Sequence, residues 1–188
     1  MKTSRFDFLP TPLDGLWVVQ RKSVEDHRGG FCRFFCAEEF QAAGLKKPIA
    51  QINHTFTANK GAVRGLHFQY PPHAECKIVS CLRGEVYDVA VDIRRGSPTF
   101  LQWHGEILSA VNQRSLLIPV GFAHGFQTLT DDCELLYLHS EAFHPQAEGA
   151  LHVTDPGIGI VWPIAMMELS ERDRNHPFIG PDLKGITQ

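Results

Sequence analysis

The segment Arg64-Gly65-Leu66-His67-Phe68-Gln69 holds the first side chains that could do chemistry. Alternation along a strand puts Gly65, His67 and Gln69 on one face and Leu66 and Phe68 on the other. Arg64 would share the Leu66 face of a regular strand, unless Gly65 introduces a bulge. An inward imidazole titrates near neutrality and can act as a general base. It can equally be a satisfied core histidine, and spacing alone does not choose. Tyr137, in Glu134-Leu135-Leu136-Tyr137-Leu138-His139, falls on the face opposite Leu136 and Leu138. A phenol there can donate a proton or serve as an amphipathic core residue. His124 sits in Pro119-Val120-Gly121-Phe122-Ala123-His124-Gly125-Phe126, which reads as a turn entering a strand. Arg28, Arg33, Arg64, Lys77 and Arg172 are dispersed donors of the kind that hold a diphosphate, or plain surface residues.

Ten histidines raise the question of a metal. A metal-binding barrel of this kind sets two histidines one residue apart, followed by a carboxylate and a later histidine. Here Gln69 replaces the second histidine, leaving His67, Glu75 and His124. An amide is a poor ligand for zinc or iron beside imidazole and carboxylate, so no metal is expected. His27, His54, His139, His144, His152 and His176 show no ligand spacing, and most of them read as surface or loop residues.

These side chains need a scaffold. Strand-like stretches occur at Lys77–Leu82, Val86–Ile93, Gln102–Leu108, Ser115–Ile118, Phe126–Leu129, Glu134–His139 and Gly149–Val153. Arg83-Gly84-Glu85 reads as the turn joining the first two. One helix is expected over Ala37–Ala43, stopped by Gly44, and a short one over Leu169–Asn175 with Ser170 as N-cap. Short strands at this spacing, without helical crossovers, predict an all-β barrel or jelly roll with a few short peripheral helices. Its interior would hold a ligand.

The 188 residues fit one domain, residues 1–188. A net charge of −3 offers no global basic field, so nucleic acid is not an expected partner. No apolar run approaches a membrane span, and the N-terminus lacks the apolar core of a signal peptide. Five cysteines without a CxxC pair suit free thiols in a reducing cytoplasm.

The motifs together resemble the dTDP-4-dehydrorhamnose 3,5-epimerase family over roughly residues 10 to 180. The resemblance is carried by Asp26-His27-Arg28-Gly29-Gly30-Phe31, Gln51-Ile52-Asn53-His54, VRGLHFQ (63–69), Lys77-Ile78-Val79, RGEVYDVAVDIRRGSPTF (83–100), IPVGFAHGFQTL (118–129), LLYLHS (135–140), TDPGIGIVWP (154–163) and LSERD (169–173). It implies a metal-free, cofactor-independent, cupin-type jelly-roll barrel working as a homodimer on a nucleoside-diphosphate 4-keto-6-deoxy sugar. By the same resemblance His67 matches the general base and Asp173 the carboxylate that orients it. Tyr137 matches the general acid, and Lys77 the cation beside the enolate. Arg64, His124, Gln51, Asn53, Glu148 and Arg172 match substrate contacts. Phe143 matches an aromatic residue stacked on the nucleotide base, and Arg28 an arginine reaching across a dimer interface.

Three positions depart from the family pattern. Arg33 stands where many members carry Glu, Phe143 replaces a commoner Tyr, and Glu75 occupies a position that is often Gln. Inversion of C3 or C5 alone is the close alternative. A metal-dependent cupin enzyme and a non-catalytic sugar-nucleotide binding module are the distant ones.

Overall fold

A computed structural model describes residues 4–180, 183 and 185–187. Two antiparallel sheets face each other. The first orders β1 (Phe6–Pro10), β2 (Trp17–Arg21), β10 (Arg114–Ile118), β7 (Lys77–Arg83), β12 (Cys133–His139) and β5 (Gln51–Thr57). The second orders β13 (Glu148–Ala150), β6 (Ala62–Gln69), β11 (Phe122–Thr128), β8 (Glu85–Asp92) and β9 (Trp103–Ser109). In that sheet β14 (Glu168–Leu169) also joins β6, in parallel. This is the expected jelly roll of the cupin type.

Period-2 alternation explains how one strand serves two layers. On β12, Cys133, Leu135 and Tyr137 point between the sheets, where they join Val79, Phe126 and Leu116. Leu138, with Leu136 beside it, points outward and meets Phe40 of α1 (Ala37–Ala42). Phe40 is fully buried against the edges of Phe6 and Phe8. That burial contributes about 2–3 kcal/mol. The outer face of the second sheet is covered by Leu151, Val153 and Ile158. Apolar residues thus fill one end of the barrel, and polar ones line the other.

Two sequence expectations change. Arg83-Gly84-Glu85 does connect β7 to β8, but it makes no hairpin of them. The strands belong to different sheets, and Gly84, at φ +75°, turns the corner. The strand read from Phe126 begins at Phe122, so His124 lies mid-strand and is bonded into two ladders. Both expected helices form, with α2 at Glu171–Arg174. A separate ribbon of β3 (Val24–Asp26) and β4 (Gly29–Phe31) stands off the two large sheets. No helix among the described residues is long and apolar enough to cross a membrane.

Candidate active site

The site is built around an irregularity in β6. Its pairing with β11 sets His67 opposite His124 and Arg64 opposite Phe126. Three steps on β6 match two on β11, so β6 carries one extra residue, a bulge. The bulge undoes strict alternation and lets Arg64 and His67 line the same cavity. Gly65 makes it possible. Its φ is +132°, and a Cβ there would lie 2.6 Å from Cα of Gly125 and 2.9 Å from the carbonyl oxygen of His124.

His67 Nε2 is 2.8 Å from Asp173 Oδ1. Asp173 is held on α2, where its N–H donates to the Oγ of the N-cap Ser170 at 3.0 Å. The N–H of Gly65 also points at this carboxylate, 3.4 Å away. Burial pushes the Asp173 pKa up, but the bonds from His67, Gly65 and Ser170 outweigh it and hold the carboxyl below its ordinary range. An ionised Asp173 takes the Nε2 proton as acceptor, so a neutral His67 keeps its lone pair on Nδ1.

Tyr137 belongs to the facing sheet. Burial, and then the charge of Asp88, push its pKa well above the usual phenol value. The phenol therefore keeps its proton and is a donor. His124 stands edge-on to the Tyr137 ring at 5.8 Å, and its Nε2 lies 2.9 and 3.0 Å from the two Asp88 oxygens. On β7, Lys77 donates to the backbone carbonyl of His67 at 3.2 Å and pairs with Glu75 at 3.2 Å.

These groups line a cavity of about 250 Å³, with Asn53, Phe143 and Glu148 toward its mouth. A second hollow shares Arg64 and His67 and reaches Arg172 and Asp173. Arg172 bonds Glu148 between the two. Gln51 bonds Asn53 at 3.1 Å and the Phe143 N–H at 3.0 Å.

Arg28 and Arg33 are not brought in. The β3–β4 ribbon carries Arg28 outward, paired with Asp26 at 2.6 Å. Arg33 follows that ribbon and faces Glu39 of α1 at 3.6 Å. Two of the histidines read as surface or loop residues are in fact partly buried at the site. His139 stacks on Tyr137 and bonds Glu75 at 2.7 Å. His176 lies edge-on to His67 at 5.3 Å, its Nε2 3.7 Å from Asp173. Burial, then the charge on His67, push the His176 pKa down. Position gave a signal for both: His139 is two residues from Tyr137 on a strand, and His176 three from Asp173 past a helix.

His67, Glu75 and His124 do not assemble as a metal set, since Glu75 turns to Lys77 and His139 while His124 turns to Asp88. Gln69 is structural. Its amide donates to the carbonyls of His73 and Ala142 and accepts from the N–H of His144, tying two rim loops together. His67, Asp173 and His176 do bring three donor atoms within 4.8 Å. The carboxylate there is already engaged by His67 and Gly65.

The sequence profile of the family described as dTDP-4-dehydrorhamnose 3,5-epimerase matches residues 10–180. An epimerase of that name from Methanothermobacter thermautotrophicus is 41% identical over 175 residues, covering 92% of this chain and 94% of its own. One from Salmonella typhimurium is 42% identical over 173 residues, covering 91% and 94%. The crystal structure of a dTDP-6-deoxy-D-glucose-3,5-epimerase from Legionella pneumophila, in complex with dTDP-4-keto-L-rhamnose, superposes with a TM-score of 0.90. It is 38% identical and covers 97% of this chain and 99% of that one. Likeness of this extent, in sequence and in shape, is likeness by descent: the chain belongs to the dTDP-4-dehydrorhamnose 3,5-epimerase family.

Proposed function

We propose that this chain inverts C3 and C5 of a dTDP-linked 4-keto-6-deoxy sugar, converting dTDP-4-dehydro-6-deoxyglucose to dTDP-4-dehydrorhamnose. One observation carries the reading: a carboxylate-backed imidazole and a protonated phenol line one cavity from facing sheets.

The C4 ketone acidifies the hydrogens on C3 and C5. Nδ1 of His67 takes one of them as a proton, and Asp173 stabilises the imidazolium that results. The electron pair moves to the C4 oxygen, where Lys77 meets the growing charge. Tyr137 returns a proton from the other face, which inverts the carbon. Proton exchange with solvent then resets both side chains. Arg64 and His124 contact the sugar, Gln51, Asn53, Glu148 and Arg172 contact the rest of the ligand, and the half-exposed Phe143 offers a face for the base.

The chain works as one domain and as a homodimer in this reading. The exposed β3–β4 ribbon supports the dimer, because it holds Arg28 away from its own cavity and leaves it open to a second copy. Five free thiols suit a cytoplasmic enzyme.

Incubation with dTDP-4-keto-6-deoxyglucose in deuterated water tests the proposal. Deuterium should enter at both C3 and C5. Labelling at one carbon would make the enzyme a monoepimerase, and labelling at neither would refute the reading. Tyr137→Phe should separate the two half-steps, since His67 can still exchange a proton while inversion is lost.

A further inference from the structure

Glu75 and His139 lie inside the cavity yet take no part in the proton transfers above. Their side chains are 9% and 12% exposed. Oε2 of Glu75 is 2.7 Å from Nδ1 of His139, and Oε1 is 3.2 Å from Nζ of Lys77. Burial works against a charge on Glu75, but the bond from His139 and the charge of Lys77 outweigh it, and its pKa falls below the usual range.

An ionised carboxylate only accepts hydrogen bonds. Nδ1 of His139 is then the donor, and a neutral ring presents its lone pair at Nε2. Facing it, 3.4 Å away, is Nδ2 of Asn53, which only donates. Oδ1 of Asn53 accepts from Nε2 of Gln51 at 3.1 Å, and Oε1 of Gln51 accepts from the N–H of Phe143 at 3.0 Å. The chain of bonds has one direction throughout. A backbone N–H, which can only donate, fixes its outer end, and Glu75 fixes its inner end. Each amide commits its oxygen and one N–H, and keeps a second N–H spare.

We propose that Glu75 and His139 are positioning residues that set the direction of this chain, so that Gln51 and Asn53 present spare N–H donors to the oxygen-rich part of a nucleoside-diphosphate sugar. An amide turned by 180° keeps its shape and reverses its hydrogen bonding, so packing alone would not hold it. The inference rests on the substrate reading above. Glu75→Gln is the telling change, because it keeps volume and removes the charge. The amide it introduces must give its oxygen to Lys77, which leaves its NH₂ against Nδ1 of His139. The ring must then carry its hydrogen on Nε2, and it meets Asn53 donor to donor.

Two measurements decide it. Nitrogen-15 NMR of histidine-labelled protein without ligand should show His139 protonated at Nδ1 in the wild type and at Nε2 in Glu75→Gln. With dTDP-4-keto-6-deoxyglucose, Glu75→Gln and His139→Leu should each raise KM about tenfold with a much smaller change in kcat. His139→Gln can donate to Glu75 and accept from Asn53, so it should restore KM to within about threefold of wild type. The same tautomer in wild type and Glu75→Gln, or an unchanged KM in His139→Leu, would overturn the proposal. A wild-type protein that exchanges no deuterium would instead remove the substrate reading and the ligand half of this inference. The NMR result would still decide the direction of the chain.

Discussion

Two histidine–carboxylate pairs stand across β6 and β11, and they are poised in opposite ways. His67 and Asp173 are 2.8 Å apart, and His124 and Asp88 are 2.9 Å apart. The first imidazole is 32% exposed and the second 6%. Asp173 gathers donors from three places, and its pKa falls. Asp88 is wholly buried, and burial raises its pKa against the pull of His124 and Lys77. Pair distance therefore does not separate a proton-transfer site from a buried support. The number of donors to the carboxylate and the access of the imidazole do.

Breaking each pair should show that difference. His67→Asn should lower deuterium exchange by roughly 10³-fold or more while circular dichroism stays native, and Asp173→Asn by about 10²- to 10³-fold. Asp88→Asn should cost about tenfold or less, because burial already works against its charge. An equal loss from both Asp variants would dissolve the distinction. Asp88→Asn should also sharpen it through Tyr137. The charge of Asp88 raises the phenol pKa, so its removal lowers that pKa, and the alkaline limb of the kcat profile should move to lower pH. Burial, the larger cause, should keep the limb above about pH 10.

Stability effects are smaller. Gly65→Ala should cost about 2–3 kcal/mol in denaturant unfolding, since the added methyl meets backbone at positive φ. Asp92 supplies the mildest case. Burial raises its pKa, but bonds from Arg94, Ser97 and Thr99 outweigh it and hold the carboxyl at about 2. Its contribution is present above the ordinary value of 3.8 and is lost as pH falls toward about 2. Asp92→Asn should remove about 2 kcal/mol of that acid dependence in thermal melts at graded pH.

Much of this was legible in the chain, and the rest was hidden for physical reasons. Alternation placed His67 and Tyr137 on interior faces because strand period is a local property. Strict alternation misplaces Arg64; the bulge that Gly65 allowed in the sequence is fixed only by the partner's register. It ended a strand at His139 but gave that side chain no role, although it faces Glu75. Asp173 came from the family resemblance. Its contact with His67 spans 106 positions and leaves no periodic trace. Arg28 and Arg33 looked like ligand contacts but turn away from their own cavity, because their ribbon pairs within itself.

The distance along the chain between His67 and Asp173 also imposes an order in time. Strands β1 to β13 are all synthesised before α2. A nascent polypeptide can close most of both sheets with the imidazole in place and its carboxylate still inside the ribosome. Reactivity is then the last property the chain acquires, and a product ended prematurely near residue 165 would hold the imidazole without its carboxylate.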